Sequence, residues 1–116
     1  MGNRKLLEVG EDKLLAVFKK ERVTPQRWSN GPHAVYGVHD HPYGKLLLVQ
    51  QGSIEFHLPL ENKDVKMFPG DRLDLPPHTP HSAVVGPKGV ICWEGHSFGD
   101  SLVGEKGQSF KDCPPS

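Results

Sequence analysis

Turn residues punctuate this chain about every 8–12 residues, the spacing that marks an all-β sandwich or barrel. Thirteen glycines and eleven prolines in 116 residues leave room for short strands rather than long helices. At this length the chain holds one core and one domain. Between the turns, Ala34–His41, Lys45–Gln51, Ile54–Leu58, Val65–Phe68, His81–Val85 and Val90–Glu94 read as strands. Ile54, Phe56 and Leu58 alternate with Glu55 and His57, so the two sets face opposite ways. Lys13–Lys20 fits helix or strand, and the neighbouring Arg22-Val23-Thr24 favours strand. Pro25–Pro32 reads as a loop with Trp28 capping the core, and Gln51-Gly52-Ser53 and Gly86–Gly89 as turns. Asp71 is placed to bond the turn backbone beside Gly70. The expected organisation is an N-terminal arm at 1–12, a β-barrel domain at 13–96 and a C-terminal tail at 97–116. Phe98, Leu102 and Phe110 are the tail residues able to pack.

Fourteen basic and fourteen acidic side chains cancel. No broad cationic surface results, which argues against nucleic acid and anionic membrane as partners. Apolar runs are too short for a transmembrane span, and Arg4 and Lys5 have no apolar segment behind them to make a signal peptide. Two cysteines, Cys92 and Cys113, do not make a disulfide framework, so a cytoplasmic location is the expectation. Cys92 sits in an apolar strand and reads as a small buried hydrophobe. Trp93 reads as core or interface. The run Leu46-Leu47-Leu48-Val49 is apolar on both faces, more than one barrel interior needs. A homodimer is the partner this implies, the outer face meeting a second subunit.

Seven histidines are the unusual count. His39 and His41 stand two apart, so on a strand they leave the same face. His81 lies on a distant strand. Three imidazoles suit Fe, Ni, Mn or Zn and leave positions open for water or substrate. Taken alone, the His-x-His pair reads first as two core histidines satisfied by hydrogen bonds.

Two segments together resemble the cupin superfamily. Its first motif, G-x5-H-x-H-x3/4-E-x6-G, matches His39, His41 and Gly52, with Lys45 in the glutamate position. The leading glycine is off its usual place, Gly37 lying too close and Gly31 too far. The second motif, G-x5-P-x-G-x2-H-x3-N, matches Gly70, Pro76 and His81, with His78 for the glycine and Val85 for the asparagine. The matched stretch runs over residues 28–95 and looks most like small single-domain bacterial cupins. The resemblance implies a jelly-roll β-barrel, commonly a homodimer, with a divalent transition metal (Fe, Ni, Mn or Zn) held in its mouth by His39, His41 and His81.

Lys45 departs from that pattern where an anionic ligand is expected. An ammonium offers donors and no lone pair, and beside a divalent ion it is repelled. Three readings follow. In the first, the three histidines hold the metal while Lys45 turns aside or binds an anionic group of a small organic substrate, in a dioxygenase- or isomerase-like enzyme. In the second, the barrel is metal-free and binds a small anionic molecule without catalysis. In the third, it is a structural or regulatory module. Tyr43, Gln51 and His57 join Lys45 as candidate substrate-binding groups: Tyr43 at the mouth, Gln51 as a polar pocket group. His57 counts only if its face is the interior; otherwise Glu55 and His57 are a solvent-facing pair. His33 and His96 have no partner visible in the sequence.

Overall fold

A computed structural model describes residues 9–97 of the chain. The expected tail, with Phe98, Leu102, Phe110 and Cys113, lies outside these residues, as does most of the arm. Elements follow in the order α1 (Glu11–Glu21), β1 (Gln26–Asn30), β2 (Val35–His39), β3 (Gly44–Leu58), a 3-10 turn (Pro59–Glu61), β4 (Lys63–Met67), β5 (Arg72–Leu75) and β6 (His81–Ser97). All strand pairs are antiparallel.

The architecture is built on two long strands rather than many short ones. β3 and β6 pair from Gly44↔Ser97 to His57↔Ser82. Where a turn was expected at Gln51-Gly52-Ser53, β3 continues, with register shifts at Val49/Gln51 and Gly52/Ile54. Gly52 makes this possible. Its φ is +79°, and a Cβ there would lie 2.0 Å from the Gly89 carbonyl oxygen, so no other residue fits. Opposite it, Gly86–Gly89 leaves the ladder and lets β6 bend in step. Each long strand thereby serves two half-sheets. β1 and β5 flank the first halves of the ladder, β2 and β4 the second. Leu47, Val49, Leu75, Val90 and Cys92 from one half pack against Ile54, Phe56, Met67, Ala83 and Val85 from the other, the double-sheet core of a jelly roll.

Two expectations are corrected by the first thirty residues. Glu11–Glu21 is an α-helix, not a strand. Glu11 and Asp12 in its first turn and Lys19 and Lys20 in its last suit the helix dipole. Leu14 and Phe18, four apart, form its buried face. The segment read as a loop at Pro25–Pro32 carries β1, whose Trp28 pairs with Cys92.

The helix also answers the excess apolar surface of β3. Leu46 and Leu48 point outward and, with Trp93, pack beneath Leu14 and Phe18. The face from which a homodimer was inferred is thus covered by the chain's own helix. Gly95 permits the close approach, since a Cβ there would lie 2.6 Å from Val23 Cγ2. Trp93 is core, as one of its two expected roles held, and its Nε1–H donates to Gln50 Oε1 at 2.8 Å. Asp71 accepts from the Phe68 backbone N–H at 2.8 Å, the turn role expected of it.

Candidate metal centre

Strand parity puts Lys45, Leu47 and Val49 of β3 on the inner face, and Val90, Cys92, Glu94 and His96 of β6 opposite them. At one end of the interior the apolar residues give way to polar ones. His39 ends β2 directly across from His81, which begins β6. His41 lies past the end of β2, in the segment that leads into β3, yet still reaches its neighbours. Ring centroids are 4.9 Å apart for His39–His41, 4.4 Å for His39–His81 and 5.5 Å for His41–His81. One ligand atom from each of the three lies within 4.8 Å of the others.

The ring orientations follow from their hydrogen bonds. His39 Nδ1–H donates to the Gly37 carbonyl and His81 Nδ1–H to the Thr79 carbonyl, both at 2.8 Å. A carbonyl only accepts, so each ring keeps its lone pair on Nε2. His41 Nδ1 contacts the Tyr43 hydroxyl at 3.2 Å. Its Nε2 is buried and has no hydrogen-bond partner among the described residues. Leaving such an atom unsatisfied is costly unless something binds there.

Burial above all, then the positive Lys45, pushes the His41 imidazole down to about 4. Burial likewise holds His81 below its ordinary value, against the raising effect of its bond to Thr79. Both rings are therefore neutral at pH 7, the form that ligates a metal. The donor set fits a divalent transition ion: three neutral imidazoles, with the Nδ1 of His39 and His81 fixed by backbone carbonyls, as metal-ligating histidines usually are.

Lys45 stands beside this cluster, buried at 7% exposure, and lines a small cavity with His39, His81, Trp28, Tyr36 and Phe56. It turns to Glu94, whose Oε1 is 3.4 Å from Lys45 Nζ. Glu94 is only 2% exposed. Its Oε1 also accepts from Trp28 Nε1–H at 2.9 Å and its Oε2 from His96 Nε2–H at 2.8 Å. Tyr43 stacks between His41 (4.9 Å, 15°) and His96 (4.3 Å, 23°). A polar network thus runs from the histidines inward through Tyr43, His96 and Glu94 to Lys45.

Of the residues singled out in the sequence, His39, His41, His81, Tyr43 and Lys45 meet. Gln51 does not. It is exposed and borders a separate groove with Phe68, Pro69 and Lys88. His57 does not either, because Phe56 takes the inner face beside His81 and sends His57 outward. There it lies 3.7 Å from Glu55 and, with Asp64 across the strand pair, forms a half-exposed cluster on the outer surface. Glu94 and His96 were missed. Glu94 shares strand parity with Val90 and Cys92, the one signal that pointed it inward.

No family model and no curated protein matches the chain. Solved structures do. A DMSP lyase structure (RdDddP and RnDddQII) is 26% identical over 67% of this chain, with a TM-score of 0.60. The polyketide cyclase RemF from Streptomyces resistomycificus is 21% identical over 65% of this chain and 54% of its own length, with a TM-score of 0.58. An RmlC-like cupin from Shewanella frigidimarina NCIMB 400 is 23% identical over 68% of each chain, also at 0.58. The matched part covers only 39% of the DMSP lyase chain. Among the described residues no helix is long and apolar enough to cross a membrane.

Proposed function

The chain has the fold of the cupin superfamily, and from that premise we propose that it is a metal-dependent enzyme acting on a small, anionic organic substrate. His39, His41 and His81 would hold the ion through Nε2. The observation that carries this reading is the buried, unpartnered Nε2 of His41, on a ring that comes together with two further imidazoles. Bound there, Fe, Ni, Mn or Zn supplies a Lewis acid or redox centre with open coordination positions. The described residues add no anionic ligand to the three imidazoles, since Glu94 is engaged by Lys45, Trp28 and His96. A negatively charged substrate group would balance the charge. Tyr43 orients His41, and the apolar wall of Leu47, Phe56 and Ala83 excludes water. That solved relatives in fold include a lyase and a cyclase supports an enzyme of small organic molecules.

One observation favours a second reading, a metal-free structural or regulatory barrel without catalysis. The cavity between Lys45 and the histidines holds only about 10 Å³, room for one water at most. Metal analysis separates the two. Protein purified from metal-supplemented cells and dialysed is expected to retain about one transition-metal ion per chain. The ion should persist in His57→Ala, which removes the outer cluster, and disappear in His39→Ala/His41→Ala. Retention by the double variant, or no metal in the parent, defeats the enzyme reading. Oxygen uptake against a panel of small organic acids then distinguishes redox from Lewis-acid chemistry.

A further inference from the structure

We propose that Glu94 is a positioning residue that draws Lys45 off the histidine triad, and that this is what lets a chain with a lysine in this place bind a cation at all. The inference rests on the metal reading of the triad. Lys45 and Glu94 form a diagonal pair across the β3–β6 ladder, since Lys45 stands opposite His96, two residues beyond Glu94. Lys45 lines the same cavity as His39 and His81. Buried there without a counter-charge, its ammonium would repel a divalent ion strongly, because little water screens the pair. Glu94 removes that problem in two ways. Its charge neutralises the lysine, and its position holds Nζ at 3.4 Å from a fixed carboxylate oxygen.

The carboxylate is itself fixed. Donors come from three strands: Trp28 on β1, Lys45 on β3 and His96 on β6. Both of its oxygens are used, so it is a built counter-ion rather than a mobile surface acid. The consequence is that Lys45 and Glu94 act as a unit, and only the loss of one without the other disturbs the triad.

A charge-pair cycle tests this, with Co2+ alone as the titrant, its binding followed by the visible spectrum. Glu94→Gln keeps the shape and the bond from Trp28 but strands the lysine charge; its Co2+ affinity is expected to fall about tenfold or more. Lys45→Met/Glu94→Gln removes both charges and is expected to recover affinity to within about threefold of the parent. Lys45→Met alone leaves the carboxylate facing the ion and is expected to tighten binding, a readout that stands even if Glu94→Gln fails to fold. Unchanged affinity in Glu94→Gln, no recovery in the double variant, or weaker binding in Lys45→Met each overturns the proposal, because a merely structural glutamate would not be rescued by removing a lysine. If neither the parent nor any variant binds Co2+, the metal reading itself fails, and the proposal with it.

Discussion

Phe18→Ala is expected to destabilise the protein by about 3–5 kcal/mol, the range for emptying a buried aromatic site. Phe18 has no exposed surface, and it sits with Leu14 on Leu46, Leu48 and Trp93. The cost goes beyond one cavity. Helix α1 has eleven residues and no side-chain cap at Gly10, so it depends on docking rather than on its own propensity. Weakening the dock uncovers the outward face of β3, an apolar strip inside a sheet that has exposed Val35 and Val38 elsewhere. Urea unfolding of the variant measures the loss, and binding of a hydrophobic dye at low urea reports whether the strip opens first. A change below about 1 kcal/mol would mean that the helix is not what covers this face.

Acid is expected to destabilise the metal-free protein through His41. In the unfolded chain its imidazole titrates near 6.5; in the fold, burial and the neighbouring Lys45, His39 and His81 hold it down to about 4, with Glu94 opposing them. The unfolded state therefore binds the proton more readily between these values. The stabilisation is fully present above pH of about 6.5 and is lost as pH falls from there toward about 4, with a ceiling near 3 kcal/mol. His81 is shifted the same way and adds to the loss. Urea midpoints taken across this window with a chelator present would show the slope, and His41→Gln should flatten it. A midpoint that holds constant from pH of about 7 to about 5 rules out a neutral, buried His41.

Much of this was legible along the chain, and what was not has physical causes. The histidine triad could be found because ligand identity and spacing are one-dimensional: His39 and His41 are neighbours, and His81 falls at the right offset from Gly70 and Pro76. The counter-ion could not. Val90-Ile91-Cys92-Trp93 is apolar at every position, with Val90 and Cys92 in the core and Trp93 beneath α1, so no polar alternation adds to the parity that Glu94 shares with Val90 and Cys92. The same double coverage made Leu46 and Leu48 look like a subunit interface. The covering helix carried its signal in Leu14 and Phe18, four apart, but eleven residues is too short a window to outweigh Arg22-Val23-Thr24 beside it. Gln51 falls outside the site because it stands at the bend, where Gly52 and the register shifts move side chains in ways that residue counting does not follow, whereas His57 takes the solvent-facing place that its alternation with Phe56 offered.

The bend shared by β3 and β6 also governs how the molecule assembles. Because both half-sheets borrow the same two strands, neither can form while the other stays open; even the nearest rung of their ladder, His57 with Ser82, joins segments separated by β4 and β5. Such distant pairings make refolding slow, on the order of milliseconds to seconds. His81 meets His39 only when β6 has closed on β2. An ion held by the triad would therefore be a late arrival, captured by a finished cage rather than a seed around which the chain condenses, and the speed of refolding is expected not to depend on whether metal is already in the tube.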